Sequence, residues 1–255
     1  MHSTQRVTTL VIPVPATDDR WTLDEETMPE SRLHDLAVEL ILQVLRAWVL
    51  RKKRDAIVGK NLAIRWDRAH ANRGVDPDVY LVEPTPPEGD ALTSLCLWKK
   101  GHHPPRVCVE VVSENTATKD YADGPARHGA SGARELWVFD PLLLGPSPVV
   151  LQLWRRTGKG SFERVYAGSG PAYSRELRAW LVVTDEGMRL RVSDDAPGRA
   201  LWPTQDEEER AEKEQERRAR VAAETEVARL RALLAAQGAP TAPAGTPVRR
   251  KKPAR

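Results

Sequence analysis

The chain has 255 residues, of which 40% are hydrophobic and 29% charged, enough for one sizeable core with solvated extensions. The formal net charge is +3, but residues 238–255 (GAPTAPAGTPVRRKKPAR) hold five positive side chains and no acid, which leaves residues 1–237 at about −2. A nearly neutral body argues against a broad, preformed basic surface for nucleic acid, while a narrow basic cleft stays open.

Residues 1–28 read as an extended, irregular segment. The opening stretch MHSTQRVTTLVIPVPATDD lacks the basic-then-apolar layout of a secretory signal, and no apolar run reaches the ~18 residues of a membrane span. From Ser31, Leu33, Leu36, Ala37, Leu40, Ile41, Val44, Leu45 and Trp48 recur at helical spacing, which predicts an amphipathic helix capped by Ser31 and closed by the basic run 51–54. Strands are expected over 56–66, 78–84 and 106–113, the last apolar on both faces apart from Glu110 and therefore central in a covered sheet. A loop-rich insert, TPPEGDALTSLCLWKKGHHPP, separates the last two.

Residues 116–134 are expected to hold a helix of two or three turns, which Gly124-Pro125 starts or disrupts and Gly132 ends. The strand ELWVFDP follows, and strand–helix–strand order favours a parallel pair. Two hairpins are expected at 149–168 and 176–194. Thr204 and Glu207 form a capping box ahead of a charged helix ending near 237, in which Ala223, Val227, Leu230 and Leu234 give about two weak heptads. The predicted organisation is thus an irregular segment (1–28), a globular domain (29–202), a charged helix with a possible short coiled coil (203–237) and a disordered basic tail (238–255).

Glu110 is the informative residue. A lone carboxylate among neighbours that all favour burial costs several kcal/mol unless it is paired, metal-bound or protonated. An Arg partner or a place at the sheet's end would explain it structurally. Asp78, which opens its strand after Pro77, offers another explanation. Two carboxylates at the ends of adjacent central strands can hold a divalent cation, and a water on that cation can be activated for attack on phosphorus.

The segments GVDPDVYLVEP, LWKKGHHPPRVCVEVVSENTATKDY and GARELWVFDP resemble the Uma-two family of restriction endonucleases, within the PD-(D/E)xK nuclease superfamily; the resemblance covers about residues 25–200. It includes His34, the loop carrying Trp98, Gly101 and Pro104, the E-V-x-S strand end and the strand ending in Asp140-Pro141. It implies an α/β fold with a restriction-endonuclease-like mixed sheet flanked by helices. It also implies DNA as partner and Mg²⁺ or Mn²⁺ as cofactor, with Asp78, Glu110 and the Val111 carbonyl as metal ligands. Where the E-x-K pattern has lysine this chain has Val112, and where many members carry it on the following helix this chain has Gly124. Lys119 is the first substitute and Arg127 the second; both also read as surface charges. An arginine supplies charge but no proton near neutral pH.

Other residues have plainer readings. Asp120 caps or pairs locally, Asp140 makes a turn, His102-His103 is solvated, His34 matches a helix position that the resemblance turns toward the site but reads first as buried or capping, and the RRKKPAR tail is solvated or binds phosphates nonspecifically. Two Cys, Cys96 and Cys108, make neither a disulfide scaffold nor a zinc site, in keeping with a reduced, cytoplasmic protein. Three functional readings result: a metal-dependent endodeoxyribonuclease, the same fold with cleavage weakened or lost and kept for binding nucleic acid or a partner, and a scaffold whose terminal helix makes a homodimer.

Overall fold

A computed structural model describes residues 10–12, 31–114, 121–146, 149–158 and 161–237. The chain divides into two units, Met1–Gln205 and Asp206–Arg255.

The first unit is built on a seven-stranded mixed sheet. Its strands are β1 (Leu10–Ile12), β2 (Ile57–Gly59), β4 (Val79–Val82), β6 (Val107–Val111), β7 (Glu135–Phe139), β8 (Leu151–Arg156) and β9 (Phe162–Gly168), in the order β1-β9-β8-β7-β6-β4-β2. The pair β6–β7 is parallel and the other neighbours are antiparallel. The parallel pair arises as strand–helix–strand order requires, with α2 (Gly124–Ala130) in the crossover. Pro125 falls in the first turn of α2, where its missing N–H costs nothing, and Gly132 ends the turn at φ +80°.

Both faces of the sheet are covered. One carries Val79, Leu81, Val107, Val109, Val111, Trp137 and Phe139, and α1 (Arg32–Arg51) packs there. Trp48 of α1 stacks on Trp202 at 5.9 Å between centroids. A second sheet packs on the same face: β10 (Ala172–Ser174), β11 (Ala179–Thr184) and β12 (Arg189–Ser193). The opposite face carries Tyr80, Val82, Cys108, Val112, Leu136, Val138 and Trp154. It lies under the loop insert, whose β5 (Leu95–Cys96) pairs in parallel with β3 (Ile64–Arg65). Burying a Trp137 or Phe139 contributes about 1.5–3 kcal/mol each.

Three expectations need correction. The strand expected over 56–66 is two short pieces, β2 and β3, because Asn61 turns the chain at φ 52°, a conformation that Asn tolerates. Within the segment expected to be irregular, Leu10–Ile12 pairs with Arg164–Phe162 as the edge strand β1. The short strand β10 is added to the hairpin expected at 176–194. All but the first residue of α3 (Gln205–Gln237), about 50 Å long at the α-helical rise, belongs to the second unit. Ion pairs such as Glu214–Arg218 and Arg220–Glu224 run along it. The basic tail 238–255 lies outside the described residues.

Candidate active site

The sheet register brings Asp78 and Glu110 together. Val79 pairs with Val109, so Asp78, one residue before, and Glu110, one after, are the next positions opposite each other. Cross-strand positions share a face, and here it is the face of Tyr80 and Cys108. Glu110 is 8% exposed, in a strand whose five residues are all buried.

Each carboxylate has an imidazole. Asp78 Oδ2 accepts the backbone N–H of Val111 at 2.7 Å and lies 3.2 Å from His34 Nε2. His34 comes from the first turn of α1, where its backbone N–H donates to the capping Ser31 hydroxyl. Glu110 Oε1 lies 2.6 Å from His128 Nε2, on the last turn of α2, and His128 is fully buried. The two imidazoles reach the pair from helices on opposite faces of the sheet. The sequence offered no motif for His128; the one usable signal was that a buried Glu110 needs a partner and the crossover helix must pass over its face. Burial pushes the thiol of nearby Cys108 well up, with help from the Glu110 charge.

The remaining candidates are placed as follows. Val111 closes β6 with its N–H on Asp78. Val112, in the E-x-K position, is buried in the apolar cluster of that face, and Gly124 is the first residue of α2. Lys119 and Asp120 lie outside the described residues. Arg127 is buried and donates from Nη2 to the Gly74 carbonyl at 2.8 Å, on the segment running into Asp78. Asp140 makes the turn expected of it, accepting the Leu144 and Gly145 amides and, at 2.8 Å, the Tyr121 hydroxyl. A solvated His102-His103 pair is not what forms: His102 is buried, its Nδ1 accepts the Cys96 amide at 3.0 Å, and its Nε2 meets Glu88. The insert needs this internal brace because it has little regular structure of its own.

Among the described residues, no group of three or more His, Cys, Asp or Glu side chains could hold a metal ion. An ion at Asp78 and Glu110 would therefore complete its shell from backbone oxygen and water. That arrangement suits Mg²⁺ or Mn²⁺, which favour oxygen donors; Mg²⁺ in particular retains several waters. The donor set fits such an ion. No helix among the described residues is long and apolar enough to cross a membrane.

A model of the Uma2 family, described as "Putative restriction endonuclease", matches residues 15–161. Among solved structures, a protein of the DUF820 group from Anabaena variabilis, described as a "putative nuclease", is similar at 13% identity, with a TM-score of 0.42, covering 60% of this chain and 76% of that one. No curated protein matches.

Proposed function

This chain belongs to the Uma2 family, described as "Putative restriction endonuclease", and on that premise we propose that it is a divalent-metal-dependent endonuclease hydrolysing DNA phosphodiester bonds. The observation that carries the reading is the Asp78–Glu110 pair: facing positions at the entry to β4 and on β6, one face, each carboxylate bonded to an imidazole. We assign Asp78, Glu110 and the Val111 carbonyl as ligands of Mg²⁺ or Mn²⁺. When bound, the ion supplies Lewis-acid stabilisation and an activated water. The protein's own groups do the holding. The Val111 amide and His34 fix Asp78, His128 fixes Glu110, and the buried Val109 and Val111 keep water from beneath the pair. Orienting the attacking water and offsetting charge on the phosphate oxygens fall to Lys119, with Arg127 as second choice.

The test measures Mg²⁺ and Mn²⁺ binding by calorimetry and plasmid cleavage for wild type, Asp78→Asn and Glu110→Gln. Both variants lose binding and cleavage; wild-type affinity in both would overturn the reading.

A second reading is favoured by one observation. The two sequence positions where the resemblance implies lysine hold Val112 and Gly124, and both are buried. In this reading the fold binds nucleic acid or a partner with cleavage weakened or lost. Metal binding without any cleavage, and a silent Lys119→Ala, would select it. We assign a second copy of this chain as the partner of α3, and the cytoplasm as the place of action.

A further inference from the structure

We infer that His128 is a positioning residue for Glu110, and that α2 acts through it and Arg127 as a clamp on both sides of the carboxylate pair. The inference rests on the metal-site reading of Asp78 and Glu110, which it deepens.

A carboxylate on a fully buried strand can turn about its terminal torsion unless something fixes it, and terminal sp³–sp² torsions are broad. The 2.6 Å contact from His128 Nε2 to Oε1 fixes it. With one oxygen held, the plane of the carboxylate is set, and so is the direction of its second oxygen. Metal-ligating carboxylates are generally held this way by outer partners, whose loss costs about 10–100-fold in metal affinity.

The imidazole is itself held. Its ring is fully buried. The His128 carbonyl accepts the Ser131 hydroxyl at 2.8 Å and the Ala133 amide at 3.3 Å. Arg156 of β8 donates to the carbonyls of Gly129 and Ala133, pinning the end of α2 to the sheet. A ring on so constrained a backbone can act as a fixed reference for Glu110.

The neighbouring residue makes this a clamp. Arg127 Nη2 donates to the Gly74 carbonyl at 2.8 Å. Gly74 lies on the segment that leads through Pro77 into Asp78. Consecutive residues of one short helix are therefore bonded to the β6 carboxylate and to the chain entering the β4 carboxylate. The spacing of the two carboxylates is set by α2 as well as by the sheet register. This role differs from that of the charge-supplying lysine: His128 acts through Glu110.

The experiment compares Mn²⁺ and Mg²⁺ affinity by calorimetry, with the electron paramagnetic resonance spectrum of bound Mn²⁺, for wild type, Glu110→Gln, His128→Gln and His128→Asn. Gln places a side-chain N–H near the position of Nε2, whereas Asn is too short to reach Glu110. His128→Asn weakens binding about 10–100-fold and changes the Mn²⁺ spectrum, and His128→Gln recovers most of both. Circular dichroism in metal-free buffer confirms that each variant is folded. Should His128→Asn not fold, His128→Gln decides, since loss of affinity in that folded variant overturns the role. Wild-type affinity in His128→Asn, with Glu110→Gln unable to bind, overturns the clamp and leaves the metal site standing. A wild-type protein that binds neither ion overturns both.

Discussion

Asp78 Oδ2 accepts the backbone N–H of Val111 across the β4–β6 pair at 2.7 Å, so one carboxylate both ends a strand ladder and faces the candidate metal position. These two duties separate by mutation. Asp78→Asn keeps an oxygen that can accept the Val111 amide and removes the charge. Asp78→Ala removes both and leaves a buried N–H without that acceptor, at a cost of about 1–3 kcal/mol. In urea unfolding, Asp78→Asn therefore stays near wild type and Asp78→Ala falls by about that amount, while calorimetry shows Mg²⁺ binding lost in both. Equal stability of the two variants would show that the amide bond contributes nothing.

Glu135 of β7 joins the seven-stranded sheet to the end of β10 in the three-stranded sheet. It is fully buried, and its oxygens accept the Ser174 hydroxyl at 2.6 Å, the Arg175 amide at 2.8 Å and Arg155 Nε at 3.1 Å. Breaking a buried pair by removing one partner costs about 3–5 kcal/mol, because the other charge is stranded. Glu135→Ala is expected to lose about that much in denaturant unfolding, with Ser174→Ala losing less. A change within about 0.5 kcal/mol, as for an ordinary surface site, would contradict the buried network.

How much of this was readable depends on the range over which each signal acts. The spacing from Leu33 to Trp48 and the run VCVEVV are local, and both elements form where those patterns place them. Asp78 and Glu110 could be paired from sequence because each marks the end of an apolar strand. His128 could not, because its meaning arises only when the crossover helix folds over the Glu110 face. His102 was misread for a related reason: adjacent histidines between prolines look solvated until Glu88 and the Cys96 amide close around one of them. The pairing of β1 with β9 joins residues about 150 positions apart, a contact no local pattern encodes.

Cys108 gives the protein an alkaline weakness. Burial holds its thiol well above the ordinary range, and the Glu110 charge adds to this. Above pH about 8.5 the thiol ionises in the unfolded chain and stays neutral in the folded one. The unfolded state then binds fewer protons, so stability is fully present below that pH and is lost as pH rises, by up to about 1.4 kcal/mol per unit from this group. Cys108→Ala flattens that slope in melts between pH 8 and 10. In the native wild type, Cys108 also resists thiol reagents at pH 8 and reacts once unfolded. Identical slopes in the two proteins would remove the effect.

If α3 pairs with a second copy as proposed, its exposed apolar residues predict the orientation. With Val227 at a and Leu230 at d, Ala223 and Leu234 extend the seam, and a β-branched residue at a with leucine at d favours two parallel strands. In that register Glu226 falls at g and Arg231 at the following e, so the two face each other with opposite sign across the pair. Light scattering on the full chain should then give the mass of a dimer. Leu230→Glu shifts it to the monomer, Arg231→Glu weakens association, and adding Glu226→Arg to Arg231→Glu restores it. An antiparallel pair would not place these residues opposite each other, so failure of the charge swap, with Leu230→Glu still dissociating, would reverse the orientation. A mass unchanged by Leu230→Glu would remove the seam altogether.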